Sequence, residues 1–164
     1  MKVFRKKTIE DYAELVYGLQ KGKEKVHTND VATALNINPA SVTEIFQKLS
    51  KEGYIHYEKY NGATLTEKGK RIAKKTRKRH DSLTEFLLLL GVDEKIADED
   101  ACEMEHILHK NTMDAVIKFV ELVNQCKDTP FWLERLKRYV QTGELDKCPD
   151  ELVKICLDHS KKQN

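Results

Sequence analysis

Apolar residues recur every three or four positions over most of the chain, and this spacing predicts a mainly α-helical protein. The first helix is predicted to follow Thr8, which is a suitable N-cap residue. A long helix is predicted from Thr66 to Leu90, where Gly91 ends it. Asp93 and Asn111 are the predicted N-caps of two further helices.

Two short helices joined by a tight turn are predicted between Thr28 and Gly53. Thr28 is the predicted cap of the first, residues 36–38 turn the chain, and Pro39 occupies the first position of the second. The second helix has one apolar and one polar face, as a helix-turn-helix requires. Its predicted DNA-contacting residues are Asn38, Pro39, Ala40, Ser41, Thr43, Glu44, Gln47 and Lys48.

The segment that follows predicts a β-hairpin: residues 54–57 alternate, and residues 63–65 form the returning strand. Asn61 and Gly62 form the predicted two-residue turn. A hairpin directly after a recognition helix is typical of a winged helix-turn-helix. Lys59 and Tyr60, near the tip of this wing, are predicted to contact DNA.

Two more helices are predicted towards the C-terminus. Thr129 and Pro130 open the first, Gly143 closes it, and Pro149 opens the second. The helix after Asn111 is strongly apolar, so part of its surface is assigned to a homodimer interface. The alternative is burial within one chain, against Phe131, Trp132 and Leu136.

Charge is distributed unevenly along the 164 residues. Through His80 there are 18 Lys and Arg against 9 Asp and Glu, whereas the remainder has 11 against 18. A basic first half indicates a polyanionic partner such as double-stranded DNA. Neither a membrane span nor the apolar core of a signal peptide is present in the sequence, so we expect a cytoplasmic protein with reduced cysteines and no membrane partner.

Candidate metal-binding chemistry is concentrated in the segment ACEMEHILH, residues 101–109. If it is helical, Cys102, Glu105, His106 and His109 share one face, and they supply the ligand types of a first-row divalent ion. The alternative is a solvated charged face with one buried cysteine.

A second, thiolate-rich site is a further interpretation, built from Cys126, Cys148, Cys156 and His159. Against it stands the alternative that these cysteines are buried as small hydrophobic residues.

The residues from Thr8 to about Val123 resemble the DtxR/MntR family, the diphtheria toxin repressor and manganese transport regulator group. The matching segments are TIEDYAELVY, INPASVTEIFQKLSKEGYIHYEKYNG followed by LTEKGK, RHDSLTEFLLLLGV, and CEMEH. The resemblance implies a metal-dependent transcriptional repressor that binds operator DNA as a homodimer. It also implies two domains: a winged helix in residues 1–75, and a helical dimerisation and metal-binding domain with a C-terminal extension in residues 76–164.

The metal ligands are also implied by this resemblance, residue by residue. They are Asp11, Glu14, His80, Cys102, Glu105 and His106. This set is a hybrid, because Cys102 is typical of iron-type members whereas Asp11 stands where those members carry methionine. Both Fe²⁺ and Mn²⁺ therefore remain candidates. Thr84 and Asp98 replace the Glu and His of an ancillary site, so that site is not implied in its usual form.

Two other function classes are compatible with parts of the sequence. Glu103 and His106 match one Glu-x-x-His step of di-iron enzymes, but such enzymes need two steps and two further glutamates. An enzyme is therefore not expected. The second alternative is a winged-helix regulator that responds to an organic effector or to thiol oxidation instead of metal.

Overall fold

The computed structural model describes residues 6–145 and residue 147. The described elements, in chain order, are α1 (Lys6–Leu19), α2 (Thr28–Leu35), α3 (Pro39–Lys51), β1 (Ile55–Glu58), β2 (Gly62–Leu65), α4 (Glu67–Leu89), α5 (Glu94–Ile107), α6 (Lys110–Asn124) and α7 (Phe131–Thr142). The predicted mainly α-helical class and the winged helix-turn-helix are confirmed. The helix predicted after Pro149 lies outside the described residues.

The helix-turn-helix is built from α2, α3 and the turn between them. Asn38 is the N-cap of α3, where its side chain accepts a hydrogen bond from the Ala40 amide at 2.8 Å, and Pro39 is the first helical residue, as predicted. Asn36 adopts a left-handed conformation with φ of 52° and ends α2. The N-cap of α2 is His27, one residue before the predicted Thr28.

A continuous apolar core joins α1, the helix-turn-helix and the wing. Its members include Tyr12, Val16, Val31, Val42, Phe46, Leu49 and Ile55. Val26 pairs with Ala63, so the segment before α2 is hydrogen-bonded to the second wing strand. These contacts make α1 part of the DNA-reading unit.

The wing differs from its prediction at the turn. Glu58 pairs with Gly62, so residues 59–61 form a three-residue loop and the predicted two-residue turn is wrong. Tyr60 adopts the left-handed conformation with φ of 71°. Asn61 donates its side-chain amide to Glu58 at 2.6 Å, a contact that closes the longer loop.

Several helix ends also shift. Thr8 lies inside α1, and Asn111 lies inside α6, whose N-cap is His109. Both predicted caps are therefore wrong. Each helix begins before the predicted residue, so that residue lies within the helix and cannot cap its N-terminus. The predicted cap Asp93 is confirmed, and Gly143 ends α7 with φ of 72°.

The 23-residue helix α4 connects the two halves of the molecule. It packs against α1 near its start and against α5 and α6 further along. A second apolar cluster forms there around Leu83, Ala101 and Met113. Because α4 crosses residues 75 and 76 without a break, the proposed domain boundary stays a prediction. No helix within the described residues combines the length and the apolar character of a membrane span.

Part of the apolar surface of α6 is buried within the chain. Met113, Val120 and Val123 are buried, and the Trp132 ring packs edge-on against Phe119 at 6.1 Å. Intramolecular burial thus accounts for these contacts, whereas Leu122 remains 63% exposed.

The start of α4 is seated tightly on the wing, and this contact yields a stability prediction. A Cβ atom on Gly69 would lie 2.1 Å from the Tyr54 carbonyl oxygen. Gly69→Ala should lower the free energy of unfolding by about 1–3 kcal/mol, because this overlap outweighs the helical preference for alanine. Urea unfolding measures the change.

The matched control is Gly18→Ala in α1, where nothing lies within 4 Å of the new Cβ. This variant should be as stable as the wild type or slightly more stable. A Gly69→Ala protein at least as stable as the wild type would contradict the predicted overlap.

Candidate metal centre

Polar side chains from α1 and α5 converge beside α4. Asp11 of α1 and Glu105 and His106 of α5 each contribute one potential ligand atom, and these atoms lie within 4.8 Å of one another. On α5, Ala97 and Ala101 are fully buried, and Glu105 occupies the next position of the same stripe. The small alanines allow close approach to α4, and the carboxylate is drawn into the interface with them.

The His106 ring is held between carboxylates of α1. Its Nδ1 atom lies 3.0 Å from Glu10 Oε2, a hydrogen-bonding distance. Its Nε2 atom lies 2.8 Å from Asp11 Oδ1 and 3.2 Å from Glu105 Oε1, yet it is buried and the hydrogen-bond geometry is satisfied with neither. The short distance alone does not make a hydrogen bond, because a hydrogen bond also requires alignment. Nε2 therefore remains available as a ligand atom.

The Glu105 carboxylate is the most buried acid of the cluster, with a side chain that is 2% exposed. Burial, followed by the charges of Glu14 and Asp11, raises the pKa of Glu105 to about 8. Its Oε2 atom is buried and has no hydrogen-bond partner. Without a cation, this site therefore contains excess negative charge and favours protonation of Glu105.

His80, which would otherwise be a solvated histidine at the end of a basic run, faces this cluster from α4. Its side chain is 12% exposed, and Nδ1 lies 3.7 Å from Glu105 Oε2. The opposite nitrogen, Nε2, lies 2.9 Å from the Asp98 carboxylate. The Asp98 carboxylate therefore fixes the orientation of the His80 ring, with Nδ1 towards Glu105.

Glu14 and Cys102 lie at the edge of the same cluster. Burial raises the pKa of Glu14, while the charges of His80 and Arg77 oppose this shift. Cys102 is exposed; partial desolvation and the charges of Glu105 and Asp11 raise the pKa of its thiol. Neither residue contributes an atom to the close group of Asp11, Glu105 and His106.

The histidine predicted to share the face of Cys102, Glu105 and His106 does not do so. Helix α5 ends at Ile107, and His109 is exposed at the N-cap of α6. This prediction is wrong because the segment ACEMEHILH contains a helix end. The second candidate site stays a prediction: Cys126 is exposed, and Cys148, Cys156 and His159 lie outside the described residues.

The donor set fits a divalent transition metal. It combines carboxylate oxygens and imidazole nitrogens, and two buried atoms, Glu105 Oε2 and His106 Nε2, have no hydrogen-bond partner. Buried polar atoms are normally paired, so these two unpaired atoms are suited to bind a cation.

Most of the predicted DNA-contacting residues are exposed. Ser41, Glu44, Gln47 and Lys48 are exposed on α3, while Thr43 is half-buried. Asn38, Pro39 and Ala40 are exposed at its N-terminus, and Lys59 and Tyr60 are exposed on the wing.

Comparison with known proteins assigns both halves of the chain. Residues 6–63 match the model described as the iron dependent repressor N-terminal DNA binding domain. Residues 66–130 match the iron dependent repressor metal binding and dimerisation domain. The chain is 39% identical over 130 residues to the HTH-type transcriptional regulator MntR of Lysinibacillus sphaericus, covering 79% of this chain and 94% of that protein. The chain belongs to the DtxR/MntR family of metal-dependent transcriptional regulators.

A second MntR relative and two solved structures are also similar to this chain. Identity to MntR of Bacillus subtilis is 42% over 114 residues, which cover 70% of this chain and 80% of the relative. The manganese regulator SloR superposes with a TM-score of 0.61 at 27% identity, covering 74% of this chain and 56% of that chain. A manganese-dependent transcriptional repressor in complex with manganese gives a TM-score of 0.63 at 24% identity, over 69% of this chain and 52% of the other. This chain thus spans about half the length of these two solved chains.

These relatives are transcriptional regulators, not enzymes. The second glutamate-histidine step of a di-iron enzyme was already absent from the sequence. In the structure, the Glu103 carboxylate accepts a hydrogen bond from Lys7 Nζ at 2.7 Å. It is therefore not placed as a ligand beside His106.

Sequence reasoning missed Glu10 and the contact made by Asp98. Glu10 is only 8% exposed, and it touches His106 across 96 residues of sequence. No local spacing rule reveals such a contact. The sequence indicated a role for Glu10 only through its position: it precedes Asp11 directly and lies beside the apolar stripe of the first helix.

The raised pKa of Glu105 predicts a pH-dependent stability in chelator. A carboxyl whose pKa is about 8 when folded and near 4.5 when unfolded stabilises the fold below pH 4.5, and this contribution is lost as the pH rises towards 8. The stability of the wild type relative to Glu105→Gln should therefore fall between pH 6 and 8, by up to about 1.4 kcal/mol per pH unit. Urea unfolding in EDTA at several pH values measures this.

Glu99→Gln serves as the control, since Glu99 lies on the same helix but its side chain is 67% exposed. Its stability profile should run parallel to that of the wild type. Parallel profiles for Glu105→Gln and the wild type would show that the carboxyl is not unusually basic.

Proposed function

We propose that this protein is a transcriptional repressor of metal-ion homeostasis that binds operator DNA as a homodimer when Mn²⁺ or Fe²⁺ is bound. The observation that carries the proposal is the meeting of Asp11 with Glu105 and His106. Asp11 belongs to the helix that packs in the winged-helix core, whereas the other two belong to α5. One cation held by both would connect the DNA reader to the dimerisation domain.

The proposed ligands are Asp11, Glu14, His80, Cys102, Glu105 and His106. The ring contacts support specific ligand atoms: Nε2 of His106, because Nδ1 faces Glu10, and Nδ1 of His80, because Nε2 faces Asp98. Asp11, Glu105 and His106 form the inner group, and Glu14 and Cys102 complete the set from the edge.

The choice between Mn²⁺ and Fe²⁺ follows from the donor atoms. Carboxylates favour both ions, and the Cys102 thiolate shifts the preference towards the softer ion, Fe²⁺. Two of the similar solved structures are named for manganese, while the matched family models are named for iron. Both ions therefore belong in the proposal.

The mechanism rests on the position of α1. Its apolar stripe, including Ile9, Tyr12 and Val16, packs into the core that also holds α3. Its polar side presents Asp11 and Glu14 to α4 and α5. A bound divalent cation supplies the positive charge that lets these carboxylates stay ionised in contact with Glu105. The angle between α1 and α5, and hence between α3 and the dimer partner, is then restricted to one value.

A restricted angle matters because a dimer must place two recognition helices at operator spacing. Half-sites one helical turn apart require about 34–36 Å between the two helices. A flexible pair would occupy this geometry only part of the time, so ordering it raises operator affinity. Metal and operator then increase each other's affinity by the same factor.

The proposed operator contacts are the exposed residues of α3 and the wing. Gln47 and Lys48 lie on the open face of α3, and Lys59 Nζ lies 5.1 Å above the Tyr60 ring at the wing tip. Glu44 is exposed among them; its carboxylate would repel phosphate but is able to accept a hydrogen bond from cytosine N4.

The homodimer is supported by apolar residues left exposed in the second half. Ile96, Leu122 and Trp132 are 51%, 63% and 49% exposed. Large apolar side chains left in contact with water are candidates for burial in an interface.

Among the described residues, the cysteine of the metal cluster does not favour a regulator that senses thiol oxidation. The thiolate is the reactive form of cysteine, and the raised pKa of Cys102 reduces its population near neutral pH in the absence of metal.

Metal-dependent DNA binding tests the proposal directly. The wild type, in EDTA or with Mn²⁺ or Fe²⁺, is titrated with a duplex selected in vitro by the metal-loaded protein, and anisotropy is recorded. Metal should increase affinity by at least about tenfold. Glu105→Gln should lose this increase, because a buried ligand carboxylate is removed.

Glu99→Gln should retain the full metal response, since Glu99 lies outside the cluster. Equal affinity of the wild type in EDTA and in metal would contradict metal control. An unchanged response in Glu105→Gln would instead contradict the ligand assignment.

The role of Asp98 in orienting His80 gives a separate prediction. Asp98→Asn should weaken Mn²⁺ binding by about 10–100-fold, because the amide no longer provides the charged acceptor that orients the ring. Electron paramagnetic resonance of free Mn²⁺ measures this, with Glu99→Gln again as the control. The Asp98 side chain is 68% exposed, so unfolding in chelator should change little. Equal Mn²⁺ affinities of the two variants would exclude the positioning role.

A further inference from the structure

A cavity of about 530 Å³ lies beside α4. Its walls come from α4 and α6, with the start of α1 and the α5–α6 connection at its ends. The volume is within the usual range of small-molecule sites. None of the six proposed metal ligands lines it.

The lining carries a large excess of positive charge. The basic side chains are Lys6, Lys74, Lys75, Lys78, Arg79 and Lys110. The single acidic residue in the lining is Asp114, which is paired with Lys110. Lys6 and Lys78 pair with carboxylates outside the lining, Glu10 at 3.6 Å and Glu121 at 3.4 Å. The lining still has more cations than acids, which favours a ligand with more than one negative charge.

The remaining lining is apolar. Leu108, Met113 and Ile117 contribute to the second apolar cluster and also to the cavity surface. Met113 is 3% exposed, and its thioether adapts to ligands of different shape. The cavity therefore offers an apolar surface next to its cations, which a phosphate ion alone would leave in contact with water.

One of the cations is held in place by the protein. The Arg79 guanidinium donates to the Leu108 carbonyl oxygen at 3.3 Å, while its Nε atom is buried without a hydrogen-bond partner. A fixed guanidinium loses little conformational freedom when it binds an oxyanion, so it contributes efficiently to recognition.

We propose that this cavity binds a small organic phosphate whose body is apolar, namely a phosphate monoester or diphosphate of an alkyl or aryl group. The dianionic phosphate would contact the lysines and Arg79, and the body would cover Leu108, Met113 and Ile117. Duplex DNA supplies phosphates but no apolar group that enters such a concave surface, so the observations favour the small molecule. This inference does not depend on the proposed metal control.

The test uses 1-naphthyl phosphate as the probe, added to the full-length protein in EDTA and again with Mn²⁺. Inorganic phosphate supplies the charge without the ring, and 1-naphthol supplies the ring without the charge. Calorimetric titration should show 1-naphthyl phosphate binding at least about tenfold more tightly than either, because only it uses both surfaces. Its affinity should fall as salt is raised.

A double variant identifies the site. Lys75→Gln combined with Lys110→Gln removes one cation from α4 and one from α6, and should weaken probe binding by about tenfold or more. Lys95→Gln, an 84% exposed lysine on α5 outside the cavity, should bind the probe normally. Circular dichroism and thermal unfolding confirm that each variant is folded.

Three results would overturn the proposal. In the first, 1-naphthyl phosphate binds no more tightly than inorganic phosphate. In the second, the double variant and Lys95→Gln bind it equally. In the third, duplex DNA displaces the probe, which would assign these lysines to the DNA backbone. Loss of metal control with retained probe binding would overturn the proposed function alone.

Discussion

The burial of Glu105 among other acids is the constraint on which the arrangement of the two halves depends. A carboxylate at the next position of the stripe formed by Ala97 and Ala101 enters the interface because α5 lies close to α4. Asp11 and Glu14 approach from α1, so negative charge accumulates where water is largely excluded. Either protonation of Glu105 or a bound cation would reduce this negative charge. Only a cation would also hold side chains of α1, α4 and α5 together.

The remainder of the fold maintains this meeting point. The winged-helix core immobilises α1, and the second apolar cluster immobilises α5, so that α4 connects two separately packed units. Each histidine of the cluster has its ring oriented by a carboxylate outside the proposed ligand set: Glu10 for His106 and Asp98 for His80. The proposed ligand atoms are thus oriented by residues that are not themselves proposed as ligands, as is usual in metal sites.

Local patterns were sufficient to predict the elements but not all of their ends. Asn38 and Pro39 specify the start of α3 within a few residues, and the structure confirms them. Thr8, Asn111 and the turn at Asn61 were predicted wrongly, because a residue with the right local chemistry competes with packing that extends or shifts the element. The ligand set came from a family resemblance. Spacing within one helix suggested only part of it, and the contacts of Glu10 and Asp98 depend on the packing of distant helices.

The ion pair between Lys7 and Glu103 has a further consequence. It bridges α1 and α5 at 2.7 Å, so it spans the same two helices as the acidic cluster while remaining exposed to solvent. An exposed pair weakens as mobile ions screen it, whereas the buried carboxylates are screened far less. At low ionic strength this exposed pair therefore adds to the contacts that hold α1 against α5 in the absence of a cation. Under the proposed metal control, the ionic strength of the surroundings would then change how much of the ordering of these two helices the metal has to supply.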